Sequence, residues 1–173
     1  IELDSLRRAI SMVTQDTHLF TDTILDNICY VRRHSTEEEV VMAIKNSHAD
    51  SFIKRSPEGY DTMLYDDGAN LSEGQRQLLG ITRASLNRSP VMILDEATSN
   101  IDTRSELLIQ QGLNQMMKGR SVIVIAHRLS TIRDADEILV LDHGVITERG
   151  SQEELLSLKG DYYNLYTGKT DLS

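Results

Sequence analysis

An apolar run, Val91 to Leu94, follows Pro90 and ends in two carboxylates, Asp95 and Glu96. A run of this length without alternation predicts a short strand buried on both faces of a parallel sheet. In open α/β sheets the ligand crevice lies beyond the carboxyl ends of the strands, which places both carboxylates where chemistry is done. Because neighbouring strand residues point in different directions, one carboxylate can hold Mg²⁺ while the other reaches a nucleophilic water. The alternative, from these residues alone, is that Asp95 only caps a turn.

The composition narrows the classes of function. The chain has 173 residues, 39% of them hydrophobic and 26% charged, which suits one globular domain with a sizeable core. Its net charge of −9 argues against nonspecific binding to nucleic acid or to an anionic membrane. A single cysteine, Cys29, permits no internal disulfide and fits a reducing compartment. The apolar runs are about half a dozen residues long, far short of the ~20 that span a bilayer.

Strand and helix patterns alternate along the chain and predict an α/β fold with a parallel sheet. Besides the central strand, strands are predicted at 9–14, 121–126 and 137–142, with a hairpin turn at 142–144. Residues 33–88 are predicted to form a mostly helical insertion. Four pairs have the spacing of capping boxes that open helices: Ser35 with Glu38, Ser72 with Gln75, Thr103 with Glu106, and Ser151 with Glu154.

Four motifs occur in a characteristic order. Gln15 follows the first strand, LSEGQ at 71–75 begins a long helix, VMILDE runs on into SNID, and His127 follows a later strand. GQRQLLGITRA overlaps the second motif, and IAHRLST surrounds the histidine. In this order and spacing the motifs resemble the nucleotide-binding domain of an ABC transporter of the exporter type. The closing EILVLDHGVITERGSQEELL extends the resemblance over the whole chain.

The resemblance implies a P-loop NTPase (RecA-like) fold, in which a parallel sheet is flanked by helices and carries an inserted helical subdomain. Residues 1–32 would be the end of the catalytic core with the Q-loop. Residues 33–88 would be the helical subdomain with the signature motif. Residues 89–173 would be the C-terminal part of the core, with the Walker B strand, the D-loop and the switch histidine.

The resemblance also implies ATP and Mg²⁺ as cofactors and assigns catalytic roles. Glu96 would polarise the attacking water, and Asp95 would hold Mg²⁺ through its coordination sphere. Gln15 would contact Mg²⁺ or water and sense the membrane domain, and His127 would hydrogen-bond the γ-phosphate. Phosphoryl transfer depends mainly on positioning and charge stabilisation, so these side chains suffice as partners.

The signature motif would bind nucleotide across a dimer. A helix N-terminus offers unpaired N–H groups and partial positive charge, which can hold the γ-phosphate of ATP bound by the opposite subunit. The alternative is a plain capping box between Ser72 and Gln75. Glu73 departs from the family's commoner glycine, and its carboxylate would repel the phosphate unless it points away. The implied contacts across the dimer are Leu71, Ser72, Glu73, Gly74 and Gln75, with Asp102 of the D-loop meeting the partner domain or starting its own helix.

The phosphate-binding loop of this class, G-x-x-x-x-G-K-[ST], does not occur in the sequence. GKT at 168–170 does not supply it, because Tyr163 stands where the first glycine is needed. In the family this loop precedes the Q-loop strand, so the resemblance implies that the chain lacks the N-terminal part of the domain. Because its start has neither an initiator Met nor a signal-peptide pattern, the chain is also expected to have been cut from something longer. The chain by itself is therefore expected to be inactive.

The leading prediction is the ATPase part of an exporter for a small or lipophilic substrate, at the cytoplasmic face of the cell membrane. Its partners would be the transmembrane domain and a second nucleotide-binding domain, in a homodimer or one half of a heterodimeric multidrug-type pair, with no nucleic acid. The alternative is a non-catalytic binding module that donates its signature motif to a partner's ATP site. An ABC-type ATPase of DNA repair is disfavoured because no sustained heptad run is present.

A docking patch for a coupling helix of the membrane domain is predicted at Leu19, Phe20 and the helix from Thr23 to Tyr30. Apolar residues in a polar loop are costly if exposed, and an amphipathic helix in a groove can cover them. The alternative is ordinary core packing.

Overall fold

The computed structural model describes residues 2–14, 16–95, 101–126 and 129–169, in two compact units, 1–125 and 126–173. None of the helices in these ranges combines the length and apolar character needed to cross a membrane.

The first unit contains a parallel three-stranded sheet and six α-helices among its described residues. The strands, in the order β1-β2-β3, are β1 Ile10–Val13, β2 Val91–Asp95 and β3 Ser121–Ile125. The register aligns Val13 with Leu94 and Leu94 with Val124. Parallel neighbours require crossover connections, and helices supply both of them. The helices are α1 Leu3–Ala9, α2 Ile24–Cys29, α3 Glu37–Asn46, α4 Asp50–Ile53, α5 Glu73–Asn87 and α6 Thr103–Met117, with a 3₁₀ turn at Gly59–Asp61.

Helix α5 lies at the centre of the core of this unit and packs against β1, α2, α3 and α6. Its apolar stripe is buried as the periodicity predicts, with Leu79 and Ile81 at 0% exposure. The stripe joins Met92 and Leu94 on one face of the sheet. This cluster is the hydrophobic core that holds the sheet and the helices together.

The prediction that the central strand is buried on both faces is wrong for the described residues. Met92 and Leu94 are buried, but Ile93 on the opposite face is only half-buried. Its partners in register, Met12 and Ile123, are 55% and 58% exposed, so β3 is not a buried strand either. The reason is geometric: the core helices of the first unit pack on the face that carries Met92 and Leu94, and successive side chains of a strand point to opposite faces.

Two of the four predicted capping boxes are displaced by one residue. Helix α3 is capped by Thr36, whose box with Glu39 is complete, while Ser35 Oγ donates to a backbone carbonyl instead. Helix α6 begins at Thr103, but the cap is Asp102, whose Oδ1 accepts from the N–H of Ser105 at 3.0 Å. In each case a neighbouring residue with a competent side-chain oxygen holds the extended backbone of the cap position. The remaining boxes, Ser72 with Gln75 and Ser151 with Glu154, are confirmed.

The second unit is built on a hairpin of β4, Ile138–Asp142, and β5, Val145–Gly150. The predicted turn is confirmed: His143 and Gly144 have φ of 45° and 80°, the left-handed pair typical of a two-residue hairpin turn. A 3₁₀ turn at Leu129–Ile132 precedes the hairpin, and α7, Gln152–Leu158, and α8, Asp161–Tyr166, follow it. Ile138, Leu155 and Tyr162 form a small core of their own.

The burial of α5 leads to a stability prediction. Leu79→Ala should lower the free energy of unfolding by about 2 to 5 kcal/mol, because it leaves a cavity in the core. Leu107→Ala on α6 is the matched control, since Leu107 is 60% exposed and its truncation should change that free energy by no more than about 0.5 kcal/mol. Urea unfolding followed by circular dichroism measures both. Equal losses for the two variants would contradict the placement of α5 in the core.

Candidate functional site

The predicted signature segment starts α5, a helix of 15 residues. Ser72 Oγ accepts from the N–H of Gln75 at 3.3 Å, and Gln75 Oε1 accepts from the N–H of Ser72 at 3.0 Å. The capping box that was the alternative interpretation is therefore present. It does not conflict with anion binding, because Ser72 and Glu73 remain exposed at the helix start and the partial positive charge there persists.

Gly74 brings the starts of α5 and α6 together. It is buried, and a Cβ placed on it would lie 2.6 Å from Ser105 Cβ and 3.4 Å from Ile101 Cγ2. Real Cβ atoms essentially never approach a side chain so closely, so only glycine permits this contact. Two helix N-termini consequently lie side by side, one of them capped by Asp102.

Asp95 ends β2 at the edge of the sheet where β1 and β3 also end. It pairs in register with Ile125, the last residue of β3, and is half-buried. Gln15, Glu96 and His127, which follow these three strands in the chain, lie outside the described residues. The described ranges contain no group of three His, Cys, Asp or Glu side chains that could hold a metal ion. A single carboxylate still fits Mg²⁺, which is commonly bound through one or two carboxylates together with phosphate and water.

The loop that follows Gln15 is held by Asp67. Asp67 Oδ1 accepts from the N–H of Leu19 at 2.6 Å, and His18 Nδ1 lies 3.4 Å from Oδ2. The hydrogen bond from Leu19, and to a lesser degree His18, holds the pKa of Asp67 below its ordinary value. Asp66, Asp67 and Gly68 all have positive φ, which is uncommon for aspartate. This strained turn lies directly before the signature segment and fixes its approach.

The predicted docking patch is only partly exposed. Leu19 is 5% exposed and belongs to the core, so the prediction is wrong for that residue. Ile24 and Ile28 of α2 are also fully buried. The surface instead presents Phe20, 45% exposed, and Tyr30, 51% exposed, whose ring centroids are 4.3 Å apart. With Val31, at 43% exposure, these two rings form what we call the docking cluster, which borders an open groove that Met12 and Asn87 also line.

Comparison with known proteins identifies the family. Residues 1–99 match the sequence profile described as ABC transporter. The chain belongs to this family.

Individual ABC transporters match almost the whole chain. It is 51% identical over 166 residues to an ATP-dependent lipid A-core flippase of Legionella pneumophila (strain Paris), which covers 96% of this chain and 28% of the flippase. It is 48% identical to a fatty acid ABC transporter ATP-binding/permease protein of Mycobacterium bovis, with 95% and 26% covered. A solved structure of a bacterial Atm1-family ABC exporter with ATP bound superposes with a TM-score of 0.87 at 42% identity, over 98% of this chain and 30% of the exporter. The chain thus spans less than a third of the length of these relatives.

The match confirms the predicted fold class, an α/β P-loop NTPase with a parallel sheet flanked by helices. Sequence reasoning nevertheless missed three residues around the site. Asp67 accepts a hydrogen bond from the loop after Gln15, and Asn27 is buried with its side-chain amide bonded to that loop. Arg83 of α5 donates both to Asn27 and to the loop carbonyl of His18. The nearest sequence signal was the charge of Arg83 within the mostly buried stretch from Ile81 to Leu86 of α5.

The contact of Gly74 leads to a second prediction. Gly74→Ala should lower the free energy of unfolding by about 1 to 3 kcal/mol, because the new methyl group overlaps Ser105. The measurement is urea unfolding of the variant beside the parent. Ser105→Gly removes the atoms in the way, so the double variant should recover part of the loss, with a coupling free energy of at least about 0.5 kcal/mol. Strict additivity of the two changes would refute the close approach of α5 and α6.

Proposed function

We propose that this chain forms part of the ATP-hydrolysing domain of an ABC exporter and contributes to two ATP sites, one through its sheet edge and one through the start of α5. The observation that carries the proposal is the parallel register. It ends β1, β2 and β3 at one edge, with Asp95 on that edge and Gln15, Glu96 and His127 following the three strands in the chain. Ligands of open α/β sheets bind at that edge.

At the sheet edge each side chain would have one task. Asp95 would hold Mg²⁺, which would supply positive charge to offset the charge that develops on the phosphate. Glu96 accepts a hydrogen bond from the attacking water and polarises it toward the phosphorus. Gln15 positions that water or the ion, and His127 donates a hydrogen bond to the γ-phosphate, so positioning and charge stabilisation carry the reaction.

At the start of α5 the chain would complete the ATP site of a second nucleotide-binding domain. Ser72 and Gly74 face the γ-phosphate held by that partner, with Leu71 and Gln75 shaping the turn, and Asp102 lies near the dimer contact. The exposed helix start supports this role, since N–H groups and the helix dipole attract phosphate. Glu73 is exposed and would turn its carboxylate outward, or else weaken the site it serves.

We propose the functional division inferred from the family resemblance: 1–32 with the Q-loop, 33–88 as the helical subdomain, and 89–173 as the C-terminal part of the core. The docking cluster then receives a coupling helix of the transmembrane domain at the cytoplasmic face of the membrane. Its paired aromatic rings and adjoining groove suit the apolar side of such a helix.

The exported substrate is proposed to be lipophilic. The relatives include proteins named for lipid A-core and for fatty acids, both amphiphilic molecules with long acyl chains. That likeness supports a lipid-like or similarly apolar substrate rather than an ion or a sugar.

A second candidate function is a binding module that completes a partner's ATP site without hydrolysing ATP itself. The motif G-x-x-x-x-G-K-[ST] does not occur in the printed sequence, whereas the signature segment has a complete capping box. For the chain by itself we propose no hydrolysis. The two candidates differ in whether Glu96 does chemistry in the full transporter.

Replacement of Glu96 by glutamine in the full transporter separates the candidates. Gln keeps the size and hydrogen bonding of Glu but loses the basic carboxylate, so MgATP should still bind while turnover falls at least about 100-fold. The measurements are ATP binding by equilibrium dialysis and phosphate release at saturating MgATP, in a complex whose other site is inactive. Glu153→Gln, the same substitution at an exposed position of α7, is the control and should hydrolyse at the parental rate. Hydrolysis by Glu96→Gln within a fewfold of the parent would favour the binding module.

The docking cluster predicts a crosslink. In a Cys29→Ala background, Phe20→Cys should form disulfides efficiently with cysteines placed along the cytoplasmic loops of the transmembrane domain, because Phe20 is exposed beside the groove. Met42→Cys on α3 is the control, since Met42 is 55% exposed but is not part of the cluster. Equal crosslinking from positions 20 and 42 would rule out a docking role for the cluster.

A further inference from the structure

Arg83 joins the middle of helix α5 to the loop that follows Gln15. Its Nε donates to the backbone carbonyl of Asn27 at 2.7 Å, and Nη2 donates to Asn27 Oδ1 at 2.6 Å. Nη1 donates to the backbone carbonyl of His18, and the guanidinium carbon lies 5.7 Å from the ring centroid of Phe20. One side chain thus holds two points of the chain and touches the docking cluster.

The side-chain amide of Asn27 extends this hydrogen-bond network to the loop. It is 1% exposed, and its Oδ1 also accepts from the N–H of Phe20 at 2.9 Å. Its Nδ2 donates to the carbonyls of Phe20 and Thr23, each at 2.9 Å. The N–H and the carbonyl of Phe20 are therefore both hydrogen-bonded to Asn27, and Asn27 is in turn hydrogen-bonded to Arg83. Buried polar networks whose members are satisfied in this way are rigid.

Gly80 lets the loop lie directly on α5, one turn before Arg83. A Cβ on Gly80 would stand 2.7 Å from Thr17 Oγ1, so a larger residue would push the loop outward. Burial lowers the pKa of Arg83 from its ordinary value, because the charged guanidinium loses contact with water there. A desolvated charge is costly unless its donors are used, and here hydrogen bonds to His18 and Asn27 offset that cost.

We propose that Arg83 is a positioning residue that locks loop 16–23 to α5, so that the docking cluster and the signature segment move as one body. Arg83 lies about 16 Å along the helix axis from Ser72, and a helix of this length transmits a shift with little bending. When a membrane segment bound to Phe20 and Tyr30 moves, the hydrogen bonds of Arg83 pass that movement to α5 and so to the signature segment at its start. The role of this link in transmitting movement rests on the proposed function.

Arginine suits this position because the acceptors are spread around it. The rigid guanidinium fork presents five N–H donors and serves three oxygens at once, whereas a lysine ammonium reaches them from a single point. Arg83→Lys should therefore restore only part of what Arg83→Gln loses.

Hydrogen exchange of the full transporter tests the tie. In Arg83→Gln the amides of Leu19 and Phe20 should exchange at least about tenfold faster, while amides within α5 stay within about twofold of the parent. The exchange rates of Leu19 and Phe20 in Arg83→Lys should lie between those of Arg83→Gln and those of the parent. Arg120→Gln is the matched control, because Arg120 also donates to backbone carbonyls of α5, those of Ala84 and Ser85 at 3.2 and 3.5 Å, next to Arg83 in the chain. Among the hydrogen bonds described here, Arg120 makes none to loop 16–23. Arg120→Gln should leave the exchange rates of the Leu19 and Phe20 amides unchanged.

Steady-state hydrolysis of MgATP by the same variants tests the consequence. Arg83→Gln should lower kcat at least about fivefold with KM within about twofold, since Arg83 is placed to position the loop rather than to bind nucleotide. Arg120→Gln should change neither.

Three results would overturn the proposal. Faster exchange throughout residues 2–125 in Arg83→Gln would show a general structural role, and equal loosening of the loop by Arg120→Gln would show that the contact is not specific. Faster exchange of Leu19 and Phe20 in Arg83→Gln with unchanged kcat would show that the link between the loop and α5 does not affect hydrolysis. A parent transporter that hydrolyses no ATP would refute the proposed function instead, and the exchange rates would still decide whether Arg83 locks the loop.

Discussion

Strands β1 and β2 pair in parallel, so the chain between Val13 and Val91 must leave the sheet, cross over it and return. Every helix from α2 to α5 belongs to that crossover, and α5 is the one that lies on the sheet. The hydrophobic effect decides which side of α5 faces inward, because Leu79 and Ile81 lose all contact with water there. The positions of the loop, the signature segment and the docking cluster all follow from where α5 is seated.

Two hydroxyl groups that the crossover buries, those of Ser47 and Thr82, are satisfied inside it. Ser47 Oγ lies 2.7 Å from Thr82 Oγ1, which also donates to the carbonyl of Leu78, so the end of α3 is joined to α5 without an unpaired hydroxyl. Gly112 on α6 allows the backbone of Ser47 to approach, since a Cβ there would meet the carbonyl oxygen of Ser47 at 3.0 Å. Hydrogen bonds of this kind add modest net stability, but breaking one leaves a costly unpaired group. They therefore specify one arrangement of α3, α5 and α6.

Three regions to which we propose functional roles lie on or against one helix of this chain, α5. The signature segment is the first turn of α5, the loop after Gln15 lies along the middle of the helix, and Phe20 rests beside Arg83. Asp67 ties that loop to the strained turn before Ser72, which makes a second link between the same two regions. A displacement at either region is therefore constrained by both links.

The sequence by itself determined the elements whose signals are local and the family that their order identifies. The run at 91–94, the capping box at Ser72 and the hairpin turn at His143 depend on neighbouring residues, so each was predicted and then found. Tertiary structure decided what depends on distant residues. The core helices of the first unit pack on the face that carries Met92 and Leu94, and Ile123 on the other face is exposed among the described residues. Leu19 lies in the core, with its N–H bound to Asp67, and is not part of the docking cluster. Gly74 and Arg83 acquired their roles from Ser105 and Asn27, far away in the chain, and no local pattern of charge or periodicity encodes such a contact.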